Sequence, residues 1–113
     1  MATYNDARLF TRAVLSFCDN HIEKDTFKVF LRITDDDDFA EEVKMSSTFD
    51  SGKELFPLLI SMLKNGLEKF VSGYNDEKTC SIKLVLDSPI GNDKEFELKF
   101  FNAEDALDYI KSV

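Results

Sequence analysis

The fold is organised around residues 48–73, which read TFDSGKELFPLLISMLKNGLEKFVSG. Seven apolar residues in this stretch recur at steps of three and four, which is the spacing of one face of an α-helix. They are Leu55, Leu59, Met62, Leu63, Leu67, Phe70 and Val71. Charged and polar residues fall mostly on the opposite face. The pattern predicts an amphipathic central helix that ends at Gly73.

The start of the central helix has two interpretations. Ser51 and Glu54 have the spacing of a capping box, with Phe49 as part of a hydrophobic staple. Counted from Ser51, however, Pro57 lies beyond the first turn, where proline is unfavourable, so the alternative is a regular helix that begins nearer Leu55. Gly66 weakens a helix interior by about 1 kcal/mol relative to alanine. The apolar spacing continues past Gly66, so we expect the helix to run through it.

Shorter helices are predicted at the two ends of the chain. The first is capped by Thr3 or Asn5 and runs to about Asp19. Its expected apolar stripe is Leu9, Phe10, Ala13, Val14 and Phe17. The last helix is capped by Asn102, with Asp105 three residues later. Its expected inward residues are Ala106, Leu107, Ile110 and Val113, with Tyr109 as a further candidate.

Four segments alternate apolar and polar residues with a period of two, as half-buried β-strands do. Residues 27–34 and 80–87 have the clearest alternation, and residues 95–101 form a fourth strand. Residues 39–46 have mixed faces, which indicates a weaker strand at a sheet edge. Turn-forming residues lie between the members of each pair, so both pairs are expected to be hairpins.

The element order α-ββ-α-ββ-α predicts an α+β fold in which a four-stranded antiparallel sheet of two hairpins packs on the central helix, as one domain over residues 1–113. The alternative is two separate ribbons that clamp the helix. Both halves of the chain follow the plan strand, turn, strand, helix. An internal duplication and the common pattern of a hairpin packed on a helix are both consistent with this plan.

Charge and hydropathy restrict the function. The chain has 14 Lys and Arg against 22 Asp and Glu, for a net charge of −8. Direct binding to a nucleic-acid backbone or to an anionic membrane is therefore disfavoured, and a basic protein is the more favourable partner. There is no run of about 18 apolar residues and no signal-peptide pattern. We expect a cytoplasmic protein that does not enter the membrane.

The residues that carry catalytic or cofactor chemistry are few. His21 is the one histidine and has no nucleophile pattern around it, and the four glycines form no phosphate-binding loop. Cys18 and Cys80 lie far apart in apolar surroundings and are expected to be reduced, buried core residues. We therefore expect neither an enzyme nor a cofactor or metal site.

The most distinctive segment is the acidic run at residues 35–42. Its carboxylates are Asp35, Asp36, Asp37, Asp38, Glu41 and Glu42. One interpretation is a carboxylate array that takes the place of phosphates in the basic groove of a nucleic-acid-binding protein. A calcium site is a second interpretation, but the spacing D-x-D-x-D-G is missing. A solvated turn that prevents edge pairing is the third.

Asp93 and Glu95, in the second hairpin, extend the candidate partner-binding set. If both acidic turns leave the sheet on the same side, one edge of the molecule is strongly negative. Phe30 and Phe101 fall on the strand faces opposite the main apolar residues. They either pack under the flanking helices or mark a surface for a partner or a second copy.

In size, charge and lack of catalytic motifs the chain resembles the small acidic inhibitors of phages and mobile elements, including anti-CRISPR and other anti-restriction proteins. The resemblance is one of overall character and assigns no residue. It implies a non-enzymatic DNA mimic that inhibits a nuclease or another DNA- or RNA-binding protein through a carboxylate surface. In the alternative function the chain is a homo-oligomeric accessory or structural subunit that associates through sheet faces or edges. Formation of a homodimer is the property that indicates this function.

Overall fold

A computed structural model describes residues 4–20, 26–35, 42–50, 54–73, 79–88, 93–100 and 102–113. The elements follow the predicted order of helix, two strands, helix, two strands and helix. They are α1 (Tyr4–Asn20), β1 (Thr26–Asp35), β2 (Glu42–Asp50), α2 (Leu55–Gly73), β3 (Cys80–Asp87), β4 (Lys94–Phe100) and α3 (Ala103–Lys111). The α+β class is confirmed.

The four strands form one antiparallel sheet in the order β2-β1-β3-β4. The two hairpins, β1–β2 and β3–β4, are joined by antiparallel pairing of β1 with β3, in which Leu31 lies opposite Leu84. Two separate ribbons are therefore excluded. Each hairpin contributes one inner strand and one edge strand, so the edges of the sheet are β2 and β4.

One face of the sheet is buried under the helices, because alternate residues of the strands are apolar. The buried apolar strand residues are Phe27, Val29, Leu31, Ile33, Cys80, Ile82, Leu84, Leu86, Phe96, Leu98 and Phe100. The helix α2 packs on β1 and β2, α1 packs on β4, and α3 packs against α2. The Phe17 ring of α1 meets Phe27 and Phe96 edge-on, with centroid distances of 5.6 and 6.0 Å. These contacts make the three helices and the buried sheet face a single core.

The central helix begins at Leu55, as the second interpretation predicted. Pro57 is then the third helical residue, where an N–H group has no intrahelical acceptor, so proline removes no hydrogen bond. The helix also continues through Gly66, which is buried against β1. A Cβ atom at residue 66 would lie 2.7 Å from Cδ2 of Leu31 and 3.1 Å from Cδ1 of Ile33. Glycine at residue 66 therefore allows the helix to approach the sheet closely.

Three sequence predictions are wrong in detail. In α1 the buried apolar residues are Ala7, Phe10, Val14 and Cys18, whereas Leu9 is 51% exposed and Ala13 is exposed. Val113 lies beyond the end of α3 and is exposed. The second strand extends to Asp50, so Phe49 lies in β2 opposite Phe27 and is not a helix staple. Ser51 of the expected capping box lies outside the described residues.

The cap of the last helix is as predicted. The side chain of Asn102 accepts a hydrogen bond from the backbone N–H of Asp105 at 2.8 Å. Ala106, Leu107, Tyr109 and Ile110 are buried. The cap fixes the direction in which α3 leaves the end of β4.

Candidate functional site

The structure places the predicted acidic residues in different surroundings. Asp35 is the last residue of β1 and Glu42 is the first residue of β2. Asp36, Asp37, Asp38 and Glu41 lie outside the described residues, and so do His21 and Phe101. The prediction that these four carboxylates contact a partner therefore stays a prediction.

Asp35 belongs to the packed part of the molecule. It lies opposite Cys80 in the β1–β3 pairing, and its exposed fraction is 1%. The strand β1 continues to Asp35, where the alternation of exposed and buried residues gives way to three consecutive buried residues, Ile33, Thr34 and Asp35, so this carboxylate does not reach the surface. Asp35 is thus set apart from the rest of the candidate surface.

Glu42 is held by two cations of the outer sheet face. Its carboxylate accepts a hydrogen bond from Nε of Arg32, and its second oxygen lies 3.3 Å from Nζ of Lys44. The hydrogen bond from Arg32, supported by Lys44, lowers the pKa of Glu42 below its usual value of 4.5. Glu42 is therefore ionised at neutral pH, and much of its charge is balanced within the chain.

The two acidic turns leave the sheet at opposite ends. In the β1–β3 pairing Asp35 lies opposite Cys80, and Lys28 lies opposite Asp87. The end of β1 and the end of β3 are thus separated by most of a strand length, which is about 23 Å for the seven residue steps from Lys28 to Asp35 at roughly 3.3 Å each. The condition for a single negative edge, that both turns emerge together, is not met.

Asp93 and Glu95 have contacts within the second hairpin. The carboxylate of Asp93 accepts a hydrogen bond from the backbone N–H of Ser88 at 2.8 Å. Glu95 lies on the outer sheet face, 3.2 Å from Nζ of Lys83. Both residues are exposed, but their position separates them from Glu42 and from the residues that follow Asp35.

The acidic end of the sheet is the end at which β1 finishes. Phe100 lies opposite Cys80 there, so α3 begins at this end, with Glu104 and Asp105 exposed in its first turn. Carboxylates at a helix N-terminus are stabilised by the helix dipole. We define the acidic end by Glu42, Glu104 and Asp105. Asp35 and Glu42, the two residues that flank residues 36–41, both lie at this end.

Glu104 and Asp105 are not among the partner-binding residues that the sequence predicts. Their spacing in the sequence shows that they lie in one helical turn. Their proximity to the β1–β2 connection depends on the pairing of β1 with β3 and of β3 with β4, which brings Asp35 and Phe100 to the same end.

The outer sheet face combines cations with an exposed aromatic ring. Lys44, Arg32 and Lys83 lie directly opposite one another on three neighbouring strands. Beside this row, Phe30 is 43% exposed and pairs with half-buried Val85, where a shallow depression of about 480 Å³ is found. Packing of Phe30 under a helix, one of the two alternatives, is therefore wrong.

Two observations concern the cysteines and the possible metal ligands. Cys18 and Cys80 are both buried and not disulfide-bonded, as predicted. Burial, with a smaller contribution from the charge of Asp19, raises the pKa of Cys18 to about 11, so its thiol is protonated at neutral pH. In the described ranges, no group of three or more His, Cys, Asp and Glu side chains is arranged to hold a metal ion.

No helix in the described part of the chain has the length and apolar character needed to cross a membrane. Comparison with protein-family models, with curated proteins and with solved structures finds no match.

Proposed function

We propose that this protein is a non-enzymatic inhibitor that binds a basic nucleic-acid-binding or nucleic-acid-processing protein. Its carboxylates take the place of nucleic-acid phosphates in the partner's groove. In this proposal the contact is made by the acidic end of the sheet together with Asp36, Asp37, Asp38 and Glu41, which the chain joins to that end. This is the mode of action of the phage-type acidic inhibitors that the chain resembles in character.

The observation that supports the proposal is that three element ends next to acidic stretches of the sequence, at Asp35, Cys80 and Ala103, belong to one end of the sheet. The β1–β2 connection carries four carboxylates and no cation. The connection from α2 to β3 enters the sheet at Cys80, opposite Asp35, and includes Asp76 and Glu77 with one lysine. The first turn of α3 adds Glu104 and Asp105.

The width of the acidic end is suited to a groove. The strands β2 and β4, which bound it, are separated by three strand spacings of about 4.8 Å, or roughly 14 Å. Glu42 begins β2 on one side of this end, and Glu104 and Asp105 follow β4 on the other, so the described carboxylates are spread out instead of forming a point charge. Attraction between such a surface and a Lys- and Arg-lined groove is long-ranged at low ionic strength and is screened by salt.

The test is affinity capture with matched charge variants. The wild-type chain, the variant D36N/D37N/D38N and the control D19N/D87N/E97Q serve as baits in a nuclease-treated cell lysate. Both variants remove three negative charges. The control does so at exposed residues, with Asp19 and Asp87 at the opposite end of the molecule and Glu97 on the outer sheet face.

We expect the wild type and the control to capture the same basic protein, and the D36N/D37N/D38N variant to lose most of it. Raising the salt concentration to several times the physiological level should release the partner from the wild type. The captured protein should then lose nucleic-acid binding when wild-type chain is added. Equal capture by the two variants, or a captured partner with no nucleic-acid binding, would refute the proposal.

A further inference from the structure

The two edge strands of the sheet differ in how well their inner faces are covered. The inner residues of β4 are almost completely buried, with exposed fractions of 6% for Phe96, 7% for Leu98 and 3% for Phe100. Phe10 and Phe17 of α1 cover this strand and meet the Phe96 ring edge-on at 6.2 and 6.0 Å. Because β2 and β4 occupy equivalent positions in the two hairpins, similar coverage would be expected on β2.

The inner residues of β2 lack such coverage. Val43, Met45 and Phe49 pack against the core but stay half-exposed, and Ser47 is exposed. Packing of α2 on β2 leaves a groove between them, which is lined by Met45 and by residues of the last two turns of α2. The apolar face of this edge is thus continuous with the core yet open on its outer side.

The edge of β2 also lacks features that prevent strands from pairing. Natural sheet edges are protected by prolines, bulges or charges in the middle of the strand. Residues 45–49 read MSSTF, with no charge, proline or glycine, and all nine residues of β2 pair with β1 without a bulge. In the described residues no strand pairs with the other side of β2. Within the described part of the chain, its outward backbone groups are therefore not paired with another strand.

The side chains of β2 are complementary to a second antiparallel copy in one register. With Ser47 on a two-fold axis, Lys44 lies opposite Asp50 of the second copy, and Met45 lies opposite Phe49 of that copy. Lys44 and Asp50 are both exposed, and each already has a partner within its own copy: Lys44 lies 3.3 Å from Glu42, and Asp50 accepts a hydrogen bond from the hydroxyl of Thr26 at 2.9 Å. A shift that centres the pair on Ser46 would place Glu42 opposite Asp50, and like charges directly opposite each other are unfavourable. Centring on Met45 would leave Asp50 and Phe49 beyond the paired stretch.

We infer that the protein forms a two-fold symmetric homodimer in which the β2 strands pair antiparallel through residues 44–50, giving one continuous eight-stranded sheet. The two Lys44–Asp50 ion pairs lie on the outer face. The two Met45–Phe49 contacts lie on the inner face, where the grooves between α2 and β2 of the two copies adjoin. The pairing satisfies backbone groups of the edge and covers its apolar side chains in one step.

This dimer is independent of the proposed inhibitory function. The two-fold axis reverses the strand direction, so the acidic ends of the two copies point in opposite directions along the sheet. Residues 36–41 precede the paired stretch in each copy. Experiments can therefore show dimerisation without capture of a basic protein, or capture of a basic protein without dimerisation.

The first test is a charge exchange, measured by sedimentation velocity over a series of protein concentrations. Each single variant, K44E or D50K, places like charges opposite each other at two symmetric positions. Because two attractive pairs are replaced by two repulsive ones, the dimer Kd should rise about tenfold or more. The double variant K44E/D50K restores complementary charges and should restore the wild-type Kd within about threefold. Loss of folding alone would not be rescued in this way.

The second test reads the register directly. In the inferred dimer Ser47 faces itself, and directly opposite residues of antiparallel strands are close enough for a disulfide. Under mild oxidation S47C should form a covalent dimer much faster than S61C, a control cysteine on the exposed face of α2. The native cysteines are buried and do not compete. A monomer at all concentrations, or a dimer insensitive to the charge variants and to S47C, would overturn the inference.

Discussion

Replacement of Gly66 by alanine tests the close packing of α2 on the sheet. In a helix interior the substitution contributes about 1 kcal/mol of stability through helix propensity. The new methyl group, however, would lie 2.7 Å from Cδ2 of Leu31 and 3.1 Å from Cδ1 of Ile33, whereas carbon atoms pack best at about 3.5–4.0 Å. Both neighbours are buried, with exposed fractions of 2% and 0%, so neither can move freely aside.

The expected result is a net loss of stability. Overpacking of a buried site costs about 1–3 kcal/mol, which exceeds the gain from helix propensity. We therefore expect G66A to lower the free energy of unfolding by about 1 kcal/mol. Urea unfolding followed by circular dichroism measures this change, with the slope of the transition checked for equality with the wild type.

Two further variants isolate the steric contact. Among the described residues, no heavy atom lies within 4 Å of a Cβ built at Gly73, so G73A should be neutral or stabilising by up to about 1 kcal/mol. The substitution L31V removes the Cδ2 atom, so G66A should become neutral or stabilising in that background. The coupling between residues 31 and 66 in this double-mutant cycle should be at least about 1 kcal/mol. If G66A stabilises the wild type as much as G73A, or if the coupling is absent, the close approach is not as described.

Two other predictions concern the cap of α3 and the charges around Glu42. The substitution N102A removes the acceptor for the N–H of Asp105 and should cost about 1 kcal/mol, seen as a fall in Tm of roughly 4 °C, whereas N102D should retain most of the stability. For Glu42 the pKa is lowered in the folded state, so its contribution to stability is present above the unfolded value near 4.5 and is lost as pH falls through the lowered pKa. E42Q should therefore have a lower Tm than the wild type at neutral pH, and the two Tm values should converge in acid. A Tm difference that stays constant down to the lowest pH would contradict the assigned role of Arg32 in holding this carboxylate.

The elements of the fold were readable from local periodicity, because the spacing of apolar residues reports which side of a helix or strand is buried. Leu55, Leu59, Leu63 and Leu67 identified the buried face of α2, and all four are completely buried. The same reasoning failed for Leu9 in α1. The apolar residues of this helix are consistent with more than one choice of buried face, so their spacing does not decide which side faces the core. It also failed at the end of β2. Residues 46–48 are all polar, so their pattern does not predict that the strand continues, although these residues pair with β1.

The candidate site depended more on long-range pairing. The acidic run at residues 35–42 was visible at once, but its first member is buried because β1 continues to Asp35 and pairs there with Cys80. Glu104 and Asp105 became part of the candidate site only because the pairing of β3 with β4 brings the start of α3 to the end of the sheet at which β1 finishes. Neither fact follows from residues close in sequence.

The sequence by itself determined the element order, the buried face of the central helix and the acidic character of the chain, since each depends on neighbouring residues or on composition. Tertiary structure alone decided the strand order β2-β1-β3-β4, the opposite directions of the two acidic turns and the open edge of β2. These features arise from contacts between residues distant in the chain, which no local pattern encodes. Gly66 shows the difference at one position: in the sequence it weakens a helix, and in the structure its missing side chain lets that helix reach the sheet.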